Sequence, residues 1–161
     1  MKRTRISLEQ VMSFDNVCLA THKAAKGKRH RQSVQQFLKT LPENIDDLRQ
    51  EVIEQENPLG QYKRFTLCDP KPRIIHAAAF RCRVLHHALM NIAGPTLDNA
   101  LTDHVFACRK QKGLLKATHY VQRQCQQYPW VVQIDVDGYF ANIDHNHPWR
   151  CYPDALKVRR F

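Results

Sequence analysis

The stretch that decides the predicted fold is Trp130-Val-Val-Gln-Ile-Asp-Val-Asp-Gly-Tyr-Phe-Ala-Asn-Ile-Asp-His145. Its β-branched run lies between Pro129 and Gly138, which predicts a short buried strand followed by a turn. Asp135 lies inside that strand, and an ionised carboxylate there needs a partner, most economically a divalent cation. The alternative is an edge-strand Asp135 that faces water, followed by an ordinary Asp137-Gly138 turn.

The composition is that of a globular chain with an anionic partner. The 161 residues include 43% apolar and 25% charged residues, with a net charge of +10 and a pI near 9.6. Such an excess of positive charge favours nucleic acid as the binding partner. No apolar run is long enough to span a membrane and the first residues lack the core of a signal peptide, so we expect a cytoplasmic chain with no membrane partner. The six scattered cysteines include no Cys-x-x-Cys pair and predict neither zinc nor disulfides.

Three helices are predicted in the first 58 residues. Ser7 and Gln10 have capping-box spacing, and the apolar residues that follow predict a helix to about Ala25, ended by Gly27. Val34 and later apolar residues recur at helical spacing. Pro42 suits the first turn of a third helix, which is acidic on its exposed side.

A basic segment, residues 23–31, follows the first helix. Its charge density indicates contacts with a phosphate backbone, although a solvated basic face is an equally good interpretation. The residues proposed to contact nucleic acid there are Lys26, Lys28, Arg29 and Arg31.

A hairpin is predicted next, with strands at 61–68 and 73–77 around the turn Asp69-Pro-Lys-Pro72. It is expected to bring four basic residues close together, although an ordinary basic hairpin is the alternative. They are Lys63, Arg64, Lys71 and Arg73. Further on, the pattern predicts a helix over 80–92 ended by Gly94-Pro95, a short helix over 95–101, a basic loop over 104–113 and a helix over 114–127.

The strand with Asp135, the aromatic pair Tyr139-Phe140 and the Ile-Asp-His that follows resemble the first catalytic motif of reverse transcriptases. The closest likeness is to the bacterial enzymes of group II introns, retrons and diversity-generating retroelements. Lys71-Pro-Arg73 resembles the fingers hairpin of that family. The loop over 104–113 resembles its Ser-Tyr-Ala-x-Arg-x-Gly-Lys-Gly signature, with Val105 and Gln111 in place of the family's Ser and first Gly.

The resemblance covers about Leu8 to His145 and implies an α+β fold, the fingers and first part of the palm of a right-hand polymerase. The domains expected are a helical basic extension over 1–58 and the truncated reverse transcriptase domain over 59–145. Residues 146–161 depart from the family pattern. We expect a disordered tail there, with the character of out-of-frame sequence after an interrupted gene.

The function implied is RNA-directed DNA synthesis on a primer with deoxynucleoside triphosphates. Asp135 would hold two Mg²⁺ ions, Phe140 would exclude the ribose 2′-hydroxyl, and Lys71 with Arg73 would grip the triphosphate. Lys63, Arg64 and the basic segment would bind the RNA template. The resembled enzymes carry further carboxylates beyond this region, so we expect the chain to be inactive alone unless a complementing C-terminal fragment supplies them.

Two other functions are open. The first is an RNA-binding remnant without catalysis, which the basic faces alone would support. The second is a small metal-dependent nuclease built on four residues near the C-terminal end. They are Asp135, Asp144, His145 and His147.

Overall fold

The computed structural model describes residues 4–54, 62–136, 138–142 and 156–157. They divide into two compact units, an N-terminal unit over Arg5–Pro95 and a C-terminal unit over Thr96–Lys157. The domain boundaries expected after residues 58 and 145 lie outside the described residues. Helices combine with an antiparallel hairpin, which confirms the α+β class. None of the helices in the described ranges has the length and apolar character needed to cross a membrane.

The elements follow one another in a simple order. The helices are α1 (Leu8–Val11), α2 (Phe14–Ala25), α3 (Gln32–Lys39), α4 (Leu41–Ile53), α5 (Phe80–Ala100), α6 (Gly113–Gln127) and α7 (Tyr139–Asn142). The strands are β1 (Thr4–Arg5), β2 (Tyr62–Cys68), β3 (Pro72–Ala78) and β4 (Leu156–Lys157).

The first predicted helix is two helices in the structure. Its capping box is confirmed, since the Ser7 hydroxyl accepts a hydrogen bond from the Gln10 amide at 3.1 Å while the Ser7 amide donates to the Gln10 side chain. The chain then breaks at residues 12–13. The carbonyl of Val11 accepts from the Asn16 side chain and that of Met12 from Arg49, each at 2.7 Å. Two carbonyls that would extend α1 are therefore used by side chains instead.

The core of the N-terminal unit is formed by α2 to α5. Phe37 of α3 contacts Phe80 of α5 edge to face, with ring centroids 5.2 Å apart, an arrangement that aromatic pairs favour. Apolar residues at helical spacing on these helices are buried, as the apolar pattern predicted. The most deeply buried are Val17, Val34, Ile45, Leu48 and Val84.

The predicted hairpin is confirmed, with two seven-residue strands. β2 and β3 are antiparallel, and Lys63 pairs with Ala77, Phe65 with Ile75 and Leu67 with Arg73. Paired residues share a face in an antiparallel ladder. Nearly every residue of the hairpin is exposed or half-buried, so neither face is covered by the rest of the described chain.

The predicted end of a helix at Gly94-Pro95 is wrong. α5 continues through Pro95 to Ala100. A proline inside a helix removes one backbone hydrogen bond, whereas ending one helix and beginning another would leave several amide and carbonyl groups without partners. The two predicted helices abut, and joining them therefore retains more hydrogen bonds.

The C-terminal unit buries little apolar surface. α6 has no buried residue, and Leu114 and Leu115 are 85% and 71% exposed. The predicted strand from Trp130 to Val136 is not formed: the segment has no regular secondary structure, and Ile134 is 84% exposed. Its backbone has no neighbouring strand to pair with among the described residues, and an unpaired single strand is not stable.

Candidate nucleic-acid interface

The basic turn, residues 26–31, joins α2 to α3. Gly27 ends α2 with φ at +70°, a left-handed conformation that glycine adopts without strain. The Lys28 amide donates to the Ala25 carbonyl and the Arg31 amide to the Lys28 carbonyl, at 2.9 and 3.0 Å. These bonds fix the turn, so its charges lie on a defined backbone.

The side chains of the basic turn have no acidic partners in the described part of the chain. Lys26, Arg29 and Arg31 are exposed and Lys28 is half-buried, and the ion pairs recorded between described residues involve other cations. Unpaired cations on an ordered turn are the arrangement that phosphate contacts require. These side chains are therefore accessible to a phosphate backbone, and a solvated basic face would show the same exposure.

Helix α5 presents a half-buried polar stripe toward α2, which the sequence analysis did not predict. Arg83, His87 and Asn91 follow one another at intervals of four residues, so they share one side of the helix. Asn91 accepts a hydrogen bond from the Lys23 ammonium at 2.5 Å and donates to Asn16 at 2.9 Å. The four-residue spacing of these polar residues is the signal in the sequence that indicates the stripe.

The stripe carries positive potential. Burial lowers the pKa of His87, and the charges of Lys23, Arg83, His86 and Lys28 lower that pKa further. Two of these cations come from α2 and the basic turn and the other groups from α5. The cations that act on His87 therefore come from α2 and the basic turn as well as from α5.

The hairpin separates the four basic residues that we expected to lie close together. Lys63 and Arg73 share one face, but Lys63 lies opposite Ala77, four residues along β3 from Arg73. That spacing corresponds to roughly 13 Å along a strand. Arg64 lies on the other face, opposite His76, and Lys71 lies in the turn between the strands. The register therefore leaves the pair Lys71 and Arg73 near the tip as the compact part of the predicted site.

The loop between α5 and α6 is held by Arg109, which the sequence analysis did not single out. The Arg109 Nε donates to Asp98 at 2.7 Å and its Nη1 donates to the Thr102 carbonyl at 2.8 Å. Only 12% of the Arg109 side chain is exposed. Arg109 is thus a structural clamp, and its charge is largely committed to the loop.

Gln111 has a backbone that favours glycine. Its φ is +60°, in the left-handed region that side chains with a Cβ occupy at a cost. This is the position at which the resembled signature has its first glycine. The loop therefore keeps the backbone conformation typical of glycine while carrying a longer residue.

The predicted metal ligand Asp135 is described, but the residues expected around it are only partly so. Asp135 is exposed on a segment without regular secondary structure. Phe140 lies in α7, and its side chain is outside the described part, as are Asp137, Asp144, His145 and His147. In the ranges that the structure describes, no three His, Cys, Asp or Glu side chains gather to hold a metal. One exposed carboxylate does not make a magnesium site, because Mg²⁺ needs several oxygens in fixed geometry.

Comparisons with known proteins add no family. No model of a known protein family matches the chain, and no curated protein matches it. The functional conclusion therefore depends on the residues and their geometry.

Proposed function

We propose that the chain is the fingers and first part of the palm of an RNA-directed DNA polymerase of the bacterial retroelement kind, and that it binds RNA without polymerising by itself. Its proposed partners are an RNA template, a DNA primer, deoxynucleoside triphosphates and a complementing C-terminal fragment, all in the cytoplasm. The magnesium ions of the reaction would require carboxylates in addition to Asp135.

The observation that carries the RNA-binding half of the proposal is the basic turn. Lys26, Arg29 and Arg31 are exposed on a turn whose backbone is fixed by hydrogen bonds, and no described carboxylate neutralises them. Phosphate contacts from such cations release counterions and give affinity with little sequence preference. A surface of this kind suits a template whose sequence varies.

The polymerase half is supported by the order of the elements and by two local features. The hairpin β2–β3 has Lys71 in its turn and Arg73 on the strand that follows. Both side chains are exposed, so a triphosphate in solution can reach them. Arginine pairs with phosphate oxygens through two parallel hydrogen bonds. Further along the chain, Gln111 has the left-handed backbone at the glycine position of the resembled signature.

Catalysis by the described residues alone is not expected. They offer Asp135 as a single exposed carboxylate at the predicted metal site. Holding two metal ions and a triphosphate in line takes several carboxylates on a fixed frame.

Primer extension tests the proposal directly. The purified chain, primed RNA template, magnesium and deoxynucleotides should give no extension above background, while a labelled RNA should bind. Adding a candidate complementing fragment should restore extension, and Asp135→Asn should abolish that gain. Extension by the chain alone that is lost in Asp135→Asn would contradict the proposed inactivity. Absence of RNA binding would contradict the proposed function itself.

An RNA-binding remnant is the second candidate, and the exposed basic turn favours it as well. It differs in one outcome, since no complementing fragment would restore extension. Equal RNA affinity with and without such a fragment, combined with no synthesis, would favour the remnant.

A further inference from the structure

The polar stripe of α5 contains positive groups that no acidic residue offsets within the described part of the chain. Arg83 lies with its guanidinium carbon 5.4 Å from the centroid of the Phe80 ring, and its Nε is buried with no hydrogen-bond partner among the described residues. Stacking therefore holds the side chain, and its charge is uncompensated. One turn further along, His87 has Lys23 and Lys28 facing it from α2 and the basic turn.

His87 lies on α5 one turn after Arg83 and one turn before Asn91, which accepts a hydrogen bond from the Lys23 ammonium. The charged groups that act on the His87 ring are Lys23 and Lys28 from the neighbouring elements and Arg83 and His86 from its own helix. Asn91 fixes Lys23 at one end of the stripe through a side-chain hydrogen bond. A cluster of like charges brought together by packing is stabilised by an anion that lies among them.

We propose that Lys23, Arg83 and His87, with Lys28 beside them, contact the phosphodiester backbone of RNA along α5, and that His87 takes up a proton when the backbone binds. The proposal rests on the RNA binding proposed above and does not require polymerisation. It assigns to the α5 stripe a role separate from that of the exposed cations Lys26, Arg29 and Arg31 of the basic turn.

The direction of the pH effect follows from the charges. In the free chain, burial and the surrounding cations keep the pKa of His87 below its usual range, so the ring is neutral near pH 7. A bound phosphate favours the protonated ring and raises that pKa. RNA affinity should therefore rise as the pH falls from the raised pKa of the complex to the lowered pKa of the free chain, and stay level outside that window. Uptake of one proton limits the gain to about tenfold per pH unit.

A binding measurement with two histidine variants tests the proposal. A labelled single-stranded RNA of about twenty nucleotides is titrated at about pH 7.5 and about pH 5.5 at constant ionic strength. The unmodified chain should bind more tightly at the lower pH. At the higher pH, His87→Gln should bind RNA within about twofold of the affinity of the unmodified chain. It should lose most of the increase in affinity that the unmodified chain shows at the lower pH.

The matched control is His22→Gln, because His22 is exposed on α2 next to Lys23 but does not belong to the stripe. It should keep the gain in full. A gain that persists in His87→Gln, or that disappears in His22→Gln, would overturn the assignment to His87.

Proton resonances of the His87 ring give a reading in the unmodified chain that does not depend on how a variant folds. The pKa of His87 should rise when RNA is added. Binding of RNA with no change in that pKa would overturn the inference while leaving the proposed function standing, whereas absence of binding would overturn both. Inorganic pyrophosphate is the comparison ligand. A pKa of His87 that rises with pyrophosphate but not with RNA would overturn the assignment to RNA.

Discussion

The N-terminal unit and the C-terminal unit use apolar residues in opposite ways. Every buried apolar residue in the described ranges lies between Ile6 and Ala93, within the N-terminal unit. In the C-terminal unit, α6 buries no residue and the segment from Trp130 to Val136 exposes its aliphatic side chains. Burial of apolar surface is the main source of folding free energy. The N-terminal unit therefore has its own source of stability, whereas the described part of the C-terminal unit has hydrogen bonds and ring contacts between exposed or half-buried residues.

Two leucine substitutions should separate the units most clearly. Leu48 is fully buried, so Leu48→Ala should lower the free energy of unfolding by about 2–5 kcal/mol. Leu115→Ala removes the same atoms from a side chain that is 71% exposed. This substitution should change the free energy of unfolding by less than about 0.5 kcal/mol. Urea denaturation followed by circular dichroism measures both. Similar losses would show that α6 packs against a partner surface.

The basic turn should account for much of the salt dependence of RNA binding. Replacing Lys26, Arg29 and Arg31 with Gln removes three exposed cations, and should lower the slope of log affinity against log salt by about two if each contacts a phosphate. The matched control removes three exposed cations of the C-terminal unit by the substitutions Lys110→Gln, Lys116→Gln and Arg123→Gln. Equal slopes in the two variants would assign the basic turn to a solvated face.

Arg109→Ala should loosen the loop between α5 and α6. It removes charge-assisted hydrogen bonds to Asp98 and the bond to the Thr102 carbonyl, with an expected local loss of about 2 kcal/mol. Amide hydrogen exchange over residues 101–112 should speed up, while exchange in α2 to α4 stays unchanged. The control is Lys110→Ala, an exposed neighbour. Unchanged exchange in Arg109→Ala would mean that other contacts order the loop.

Gln111→Gly gives the smallest expected effect and the opposite sign. Because φ is +60° at this residue, glycine should raise the free energy of local opening of the loop by about 0.5–1 kcal/mol. Gln122→Gly, within α6, should instead cost about 1 kcal/mol, since glycine is a poor helix former. Amide exchange in the C-terminal unit measures both changes. Faster exchange in the loop of Gln111→Gly would contradict the strain assigned to this backbone.

Local patterns predicted most of the elements. The capping box at Ser7, the end of α2 before Gly27 and the antiparallel hairpin are confirmed, because each depends on residues close together in the chain. The break at Ser13 could not be read in this way, since one of the carbonyls involved accepts from Arg49, which is distant in sequence.

The candidate site was predictable only in part. The basic turn stood out as a run of charges, whereas the stripe of Arg83, His87 and Asn91 becomes apparent when α2 packs beside α5. The basic residues expected to cluster on the hairpin are separated in the structure, for a different reason. Register decides which face each cation occupies, and register is fixed by backbone pairing rather than by composition. The roles of Asp135 and Phe140 remain predictions.

The exposed segment from Trp130 to Val136 affects how readily copies of the chain associate in solution. It is rich in β-branched residues, contains no proline, and Asp135 carries its only charge. Short segments of this kind add to one another as strands, and a single charge within them opposes that association. Within this segment we therefore expect Asp135 to oppose association between copies of the chain. Asp135→Asn, the natural choice for removing a carboxylate, should scatter more light at high protein concentration, so its effect on synthesis is best measured in dilute solution.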